Sequence, residues 1–382
     1  MEKRVYIAGC TDYNETNVRN AVRSALTAFG GADAFHVRGK RVLLKVNLLS
    51  ANNPDRAVTT HPEVVSAIAA EFVSAGADVI IADSPGGPYT VQTLRRVYAA
   101  CGMDRAATAS GAALNYDTSH RRVSFPEGKY AKEFDIITPV LDADMVVSVA
   151  KLKTHGLAYY TGAVKNLFGT IPGLEKASYH SRYPNKFRFN GVLVDICQFI
   201  KPQISFVDGV IGMEGDGPSG GKPKHVGIIG AALNPYALDM AMCDLVSLPI
   251  SLVPVLTEAI KQKLAPANVS DIEYLGESPV AFRTQFEPAA GGKGGGLGAF
   301  IARNILPGKV RERVSMALAS WPVMNAKCIA CGKCAEICPR RVISIKDKRA
   351  VPDYSGCIRC YCCHEICPVQ AIDLVKKPKP GK

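Results

Sequence analysis

The chain has 382 residues, 47% of them hydrophobic, and a formal net charge of +12, so it is long enough for two domains and a well-buried core. The absence of about eighteen consecutive uncharged apolar residues argues against a membrane-spanning helix, and the first residues show no secretory signal, so we expect a cytoplasmic protein. The basic residues form no face with aromatic or motif support, which argues against nucleic-acid binding.

Strand-like and helix-like segments alternate along the first 280 or so residues. Val42 to Leu48 reads as a buried strand, HPEVVSAIAAEFVSAGA as an amphipathic helix, and DVIIADSPGG as a strand followed by a glycine loop. MVVSVAKLKTHG reads as a strand followed by a basic loop, and ISFVDGVIGMEGDGPSGG as a strand followed by an acidic glycine loop. This alternation predicts an α/β fold with a mostly parallel sheet and helices on both of its faces.

Polar residues gather near the ends of these predicted strands. Ligands of open α/β sheets bind where the carboxyl ends of strands and the N-termini of helices converge, so we expect one crevice there. The candidate catalytic residues are Lys45, Lys153, His155 and Lys165, and the candidate cofactor-binding residues are Asp83, Lys151, Asn166 and Asp208.

Each of these positions also has an ordinary structural explanation. Lys45 lies in an apolar strand and needs a partner or a ligand if it is buried. The KLKTH segment is either an anion site or a solvated turn, and Asp83 either serves a ligand or caps a loop. Glu214 and Asp216 either hold a metal ion or simply form a turn, and the sequence leaves this choice open.

Common nucleotide-binding and hydrolase motifs are missing from the sequence. No GxGxxG follows a strand, and the glycine-rich segment from Gly291 lacks the spacing of a phosphate-binding loop, so it reads as a linker. The predicted division is an α/β domain over residues 1–288, a glycine-rich and helical linker over 289–321, a small α+β ferredoxin-like domain over 322–376, and a basic tail over 377–382.

Nine of the thirteen cysteines lie between Cys328 and Cys367. Eight of them form two runs with the same spacing between cysteines, and each run ends in Cys-Pro. In two-cluster bacterial ferredoxins such a run gives three ligands to one 4Fe–4S cluster, and its fourth cysteine serves the other cluster. One predicted ligand set is Cys328, Cys331, Cys334 and Cys367, and the other is Cys357, Cys360, Cys363 and Cys338. Structural zinc fits this spacing poorly, and the surplus Cys362 reads as a small buried side chain.

The segments RVLLKVNLLSANNPDRAVTTHPEVV, VVSVAKLKTHGLAYYTGAVKNLFGTIPG and FVDGVIGMEGDGPSGG resemble the domain of unknown function family 362 over roughly residues 5–290. Members of this family often carry a C-terminal two-cluster ferredoxin domain. The resemblance therefore implies a redox role, but it supplies no substrate. The matching positions are Lys45, Asn47, His61, Asp83, Lys151, Lys153, His155, Lys165, Asn166, Asp208, Glu214 and Asp216.

These observations predict an iron–sulfur oxidoreductase that passes low-potential electrons to an anionic small molecule or a second cofactor in the crevice. A flavin would suit that second role, although no motif specifies one. An electron donor or acceptor protein is the expected partner. Two alternatives stay open: a non-catalytic electron carrier or assembly protein whose basic loops dock an acidic partner, and a non-redox enzyme whose clusters serve only as structural links.

Overall fold

The computed structural model describes residues 1–289 and 319–376. The strands in these residues are β1 (Arg4–Gly9), β2 (Arg41–Val46), β3 (Asp78–Ala82), β4 (Ala113–Leu114), β5 (His120–Ser124), β6 (Glu133–Ile137), β7 (Met145–His155), β8 (Tyr159–Thr161), β9 (Ile204–Glu214), β10 (Lys222–Ala232), β11 (Glu273–Gly276), β12 (Trp321–Met324), β13 (Ile343–Lys346), β14 (Arg349–Pro352) and β15 (Ile372–Val375). Nine of them form one sheet in the order β11-β1-β10-β9-β7-β2-β3-β4, with β8 paired to β7 outside this path.

The central part of the sheet is parallel. Strand β2 pairs in parallel with β3 and β7, and β7 pairs in parallel with β9, whereas β10 runs antiparallel to both β1 and β9. The chain passes from β2 to β3 on one side and later places β7 and β9 on the other side, so the strand order reverses between β2 and β7. A reversal of this kind opens a crevice at the carboxyl ends of the two strands.

Helices cover both faces of the sheet, which confirms the predicted fold class. They are α1 (Glu15–Thr27), α2 (Pro62–Ser74), α3 (Val91–Cys101), α4 (Met103–Ser110), α5 (Thr138–Leu141), α6 (Ala163–Asn166), α7 (Glu175–Arg182), α8 (Lys186–Ile200), α9 (Pro235–Leu245), α10 (Pro254–Lys261), α11 (Lys333–Glu336) and α12 (Cys362–Ile366). Val42 and Leu44 of β2 pack in one core with α1 to α4, while Leu43 packs in a second core with α6 to α10. Neighbouring residues of a strand point to opposite faces, so β2 serves both cores.

Two predicted strand boundaries differ from the structure. The KLKTH segment is not a loop, because β7 runs to His155 with all of its residues buried. Asp208 does not follow a strand either, since it lies within β9. In both cases polar side chains continue a central strand because buried partners pair with them or accept their hydrogen bonds, and sequence polarity alone marks such a position as a strand end.

The C-terminal residues form a small α+β unit that packs on the α/β body. It contains the antiparallel pairs β12–β15 and β13–β14 together with α11 and α12. The Ser219 hydroxyl donates to the Glu365 carbonyl oxygen at 2.9 Å, and Gln370 Nε2 donates to the Ser219 carbonyl oxygen at 3.4 Å. The unit therefore contacts the loop that follows β9.

Most of the predicted linker at 289–321 and all of the predicted basic tail at 377–382 lie outside the described residues. The division of the chain into domains at those boundaries stays a prediction. Within the described ranges, no helix has both the length and the apolar composition that crossing a membrane requires.

Candidate functional site

A cavity lies at the carboxyl ends of β2 and β3, beside the end of β7. Its polar lining comprises Lys45, Asn47, Asp83, Ser84, His155, Lys165, Asn166, Lys176, His180 and Glu365. Five of the eight candidate residues thus meet in one place, namely Lys45, His155, Lys165, Asp83 and Asn166. We call this cavity the crevice.

Lys45 is fully buried and its charge is already neutralised. Lys45 Nζ lies 2.7 Å from Asp83 Oδ1 and donates to the Val46 carbonyl oxygen at 2.7 Å. Burial lowers the pKa of Lys45, and the Asp83 carboxylate opposes that shift. A Cβ atom at position 169 would collide with both charged groups, so Gly169 allows the backbone to pass over the pair. Lys45 and Asp83 therefore form a fixed polar floor.

Asn166 ties this floor to helix α6. Its amide nitrogen donates to the Lys45 carbonyl oxygen at 2.7 Å, and its oxygen accepts from Lys45 Nζ at 3.3 Å. The Asp239 carboxylate holds the start of α6 by accepting from Ala163 N at 2.7 Å and Val164 N at 3.0 Å. Burial raises the pKa of Asp239 to about 7. These contacts fix the turn of helix that carries Lys165.

Lys165 has no hydrogen-bond or ion-pair partner within residues 1–289 and 319–376. Burial lowers its pKa, while Glu365 acts in the opposite direction. A lysine that lines a cavity without a partner is free to bind an anion there.

Two histidines face the crevice in the neutral form. His155 is 2% exposed, and its Nδ1 accepts from Leu157 N at 3.0 Å and from Ala158 N at 3.2 Å, so the ring proton lies on Nε2. Burial holds the pKa of His155 well below its ordinary value, with Lys165 adding to the effect. Burial likewise lowers the pKa of His180 to about 3, and its ring stacks on Phe189 with centroids 4.1 Å apart. Both rings are therefore uncharged at neutral pH.

The C-terminal unit supplies one wall of the crevice. Glu365 Oε1 of α12 lies 3.2 Å from His155 Nε2 without forming a hydrogen bond. Cys362, Ile337 and Ile366 line the same space. The surplus Cys362 is thus buried, and it lies directly at the crevice.

Sequence reasoning missed Lys176 and Glu365. Lys176 Nζ donates to the Ser84 hydroxyl at 3.1 Å, and burial lowers its pKa to about 7. Lys176 lies on a helix of mixed polarity, and Glu365 lies inside a cysteine run, so no local pattern marks either residue. Only the tertiary packing reveals them, within the α/β body for Lys176 and between the two units for Glu365.

Lys153 lies behind the crevice instead of lining it. Its Nζ donates to Asn47 Oδ1 at 2.8 Å and to the Val58 carbonyl oxygen at 2.6 Å. Burial lowers the pKa of Lys153 to about 7, and the Lys165 charge adds to the shift. Through Asn47, Lys153 positions a residue of the crevice wall.

This shift predicts a pH-dependent stability. Between pH 7 and the pKa of about 10.4 of an unfolded lysine, the unfolded chain holds a proton that folded Lys153 lacks, so stability rises with pH. Relative to Lys153→Met, the wild-type free energy of unfolding should increase with pH, by up to about 1.4 kcal/mol per pH unit. Urea unfolding from pH 7 to 9 measures the difference. A flat difference would contradict the assignment, and the exposed Lys40→Met is the control.

Lys151 and Asp208 form a separate buried cluster that does not line the crevice. Lys151 Nζ lies 2.9 Å from Asp208 Oδ2, and both side chains are 0% exposed. The Tyr13 hydroxyl accepts from Lys151 Nζ at 2.7 Å and donates to Asp208 Oδ1 at 2.9 Å, while the Tyr13 ring stacks on His61 with centroids 3.5 Å apart. Every charge in this cluster has a partner, so its contacts are those of a structural ion pair.

Breaking this ion pair should destabilise the fold strongly. Asp208→Asn leaves the buried Lys151 ammonium without its counter-ion, which costs about 3–5 kcal/mol. Chemical denaturation of the wild type and the variant measures the loss. The double variant Lys151→Met/Asp208→Asn carries neither charge and should recover much of it. If the double variant is no more stable than Asp208→Asn, the pair does not act as described.

The acidic glycine loop shows no site for a single metal ion. Glu214 Oε2 lies 2.9 Å from Lys224 Nζ and accepts from Glu287 N at 2.9 Å. Over the residues that the structure covers, no group of three or more His, Cys, Asp or Glu side chains is placed to hold one ion.

The first predicted thiol set surrounds a cavity of its own. A space of about 340 Å³ is lined by Cys328, Cys331, Cys334 and Cys367. Ala350 N donates to Cys328 Sγ at 3.4 Å, and Ala371 N donates to Cys367 Sγ at 3.1 Å. Backbone donors aimed at sulfur stabilise thiolate ligands, so this set fits a 4Fe–4S cluster.

The second cysteine run repeats the backbone of the first. Ala330 and Gly332 have φ of 55° and 78°, and the equivalent Arg359 and Tyr361 have φ of 55° and 66°. Left-handed residues at these two places let each run curl around one centre. Burial raises the pKa of Cys363, and Cys360, Cys357 and Cys338 are among the nearby thiols that raise it further, so the second predicted set is also clustered.

The fold and the thiol sets define an α/β protein with a small iron–sulfur unit at its C-terminal end. Residues 42–244, more than half of the chain, match the family described as domain of unknown function (DUF362). The chain belongs to this family, as the resemblance predicted. Residues 321–344 match a 4Fe–4S binding domain, which makes the chain an iron–sulfur protein; that match covers the first cysteine run only.

The thylakoid-associated protein sll1697 of Synechocystis sp. is 33% identical over 273 residues, which cover 69% of this chain and 80% of that protein. Among solved structures, the lactate racemase apoprotein from Thermoanaerobacterium thermosaccharolyticum aligns with a TM-score of 0.42 and 14% identity. The alignment covers 65% of this chain and 58% of the racemase. So weak a likeness carries no argument about function.

Proposed function

We propose that the protein is an oxidoreductase that binds two 4Fe–4S clusters and delivers low-potential electrons to an anionic acceptor in the crevice. The observation that carries this proposal is the shared lining: Cys362 and Glu365 of the iron–sulfur unit face Lys45, His155 and Lys165 of the α/β body in one cavity. An acceptor bound there would touch both units.

The second thiol set packs against a residue that lines the crevice. Cys362 lines the crevice, and Cys360, a member of the second set, packs in the same cluster of side chains. When bound, 4Fe–4S clusters supply single electrons at a potential that their surroundings tune. We assign the second set as the one that serves the acceptor.

The crevice residues have the charges that an accepting site needs. The unpaired ammonium of Lys165 offsets negative charge that accumulates on an acceptor in a water-poor site. The Nε2–H group of neutral His155 can donate a hydrogen bond or a proton to that acceptor. Lys45, already paired with Asp83, would chiefly hold the floor in place.

The first thiol set is the better candidate for contact with a partner protein. Cys331 is exposed, and the neighbouring Ile329 is 60% exposed and lines the same cavity. An exposed apolar side chain beside a cluster suits the docking of an electron donor or acceptor protein. The same feature favours the non-catalytic alternative, in which the protein only carries electrons between partners. The cytoplasmic location stays a prediction.

Reoxidation of the reduced protein separates these two functions. The anaerobic holoprotein is reduced with dithionite, freed of excess reductant and mixed with the small-molecule filtrate of the source cells while visible absorbance reports the clusters. An oxidoreductase should be reoxidised by a component of the filtrate at a rate that depends on the crevice. A carrier should be reoxidised by the protein fraction and should be indifferent to crevice substitutions.

A further inference from the structure

The residues that line the crevice are of two kinds. The cationic and polar groups include Lys165, His155 and His180. The apolar groups are Leu48, Leu49, Phe168, Phe189, Ile337 and Ile366, and Phe189 stacks on His180. A ligand that satisfies both kinds has a polar head and an apolar body.

Two polar groups of the crevice make no hydrogen bond within the residues that the structure describes. His155 Nε2 is buried and makes no hydrogen bond, and Lys165 makes neither a hydrogen bond nor an ion pair in the described part of the chain. A buried donor left unpaired costs free energy, so these groups favour an acceptor that carries charge. An oxygen of the Glu365 carboxylate lies 3.2 Å from His155 Nε2 without forming a hydrogen bond to it. The anionic head of a ligand would lie beside this carboxylate and accept the hydrogen bond that His155 does not make within the described residues.

The lining of the crevice argues against a small inorganic ion, because apolar side chains contribute much of it. An ion the size of phosphate would contact the lysine and the histidines but would leave the phenylalanine and isoleucine walls in water. Burial of these side chains against the apolar body of a ligand would stabilise the complex further.

A second, outer cavity of about 1140 Å³ adjoins the crevice and shares Gly86, Ile337, Glu365 and Ile366 with it. Its rim carries Arg56, Arg96 and Lys333 against the single additional acid Glu336. A basic rim raises the local concentration of anions and speeds their association. This outer cavity is therefore a suitable route to the crevice.

We propose that the crevice binds an organic carboxylate with an apolar body, which enters through the basic outer cavity. The carboxylate contacts Lys165, His155 and His180, and the body lies between Phe168, Phe189 and Ile337. The proposal rests on the proposed function, because it names the class of the electron acceptor.

Calorimetric titration of the oxidised holoprotein tests this with three probes: benzoate has the head and the body, acetate the head alone, and benzamide the body without the charge. Benzoate should bind about ten- to a hundredfold more tightly than either of the others. Lys165→Met should remove that advantage over benzamide and leave benzamide binding unchanged. The exposed Lys261→Met is the matched control and should behave as the wild type.

Undetectable benzoate binding overturns the proposal, as does affinity equal to that of acetate or of benzamide. Benzoate should associate more slowly with Arg96→Glu than with the wild type, whereas benzamide should associate with both at the same rate. If benzoate also associates with both proteins at the same rate, the proposed route is overturned. Because no electrons move in this titration, its outcome is independent of the proposed function. If benzoate binds selectively but the crevice variants are reoxidised at the wild-type rate, the ligand site is supported and the proposed oxidoreductase function is contradicted.

Discussion

Paired cysteine substitutions are expected to show that the two clusters are held crosswise. Cys328→Ala/Cys367→Ala removes two thiols of one set, so the purified protein should keep about four of the roughly eight irons that two clusters contain. Cys328→Ala/Cys338→Ala removes one thiol from each set and should keep few or none. The physical reason is the first thiol cavity, where Cys367 of the second run meets three cysteines of the first.

The two double variants are matched controls for each other. If each run of four held its own cluster, Cys328→Ala/Cys367→Ala would keep few or no irons and Cys328→Ala/Cys338→Ala would keep about four. The crosswise ligand sets would then be wrong. Cys362→Ala should keep all of the iron, because Cys362 belongs to neither set. Iron and acid-labile sulfide are measured after anaerobic purification. Full activity in a variant without iron would favour the alternative in which the clusters are only structural.

Lys165→Met is expected to slow reoxidation of the reduced clusters by the small-molecule acceptor about 10²- to 10³-fold. This is the usual cost of removing one preorganised group that stabilises developing charge. Methionine keeps the length and the apolar stem of the side chain, so the crevice should retain its shape. Iron content and the rate of reduction by dithionite should stay at the wild-type values.

Two comparisons make this result specific. Lys261→Met removes an exposed lysine that does not line the crevice and should leave the reoxidation rate unchanged. His155→Gln keeps a hydrogen-bond donor but removes the imidazole, so it should slow reoxidation less than Lys165→Met if anion binding dominates. A wild-type rate for Lys165→Met would place the acceptor elsewhere and favour the carrier.

Much of the fold was predictable because hydrophobic alternation and helix-start signals are local. The strand that carries Lys45 and the helix that begins at Pro62 both agree with the pattern of their own residues. The thiol sets were predictable for a similar reason, since a repeated spacing is visible in the sequence itself. Whether the candidate residues act as assigned stays untested.

The rest of the site depends on contacts between distant segments. Lys151 and Lys153 look alike in the sequence, yet one pairs with Asp208 and the other contacts Asn47. No pattern within KLKTH separates them, because their partners lie tens of residues away in the chain. Glu365 enters the crevice only because the C-terminal unit packs beside the loop after β9.

The position of α12 links the integrity of the metal centres to the shape of the acceptor's compartment. Cys363 and Cys367 border Glu365 on both sides, so the segment that carries two predicted iron ligands is also a wall of that compartment. Oxidative loss of iron would release this segment and let bulk water reach the lysines. We expect air-damaged protein to lose its affinity for the acceptor together with its colour. A protein that can no longer supply electrons would then also no longer bind the acceptor that receives them.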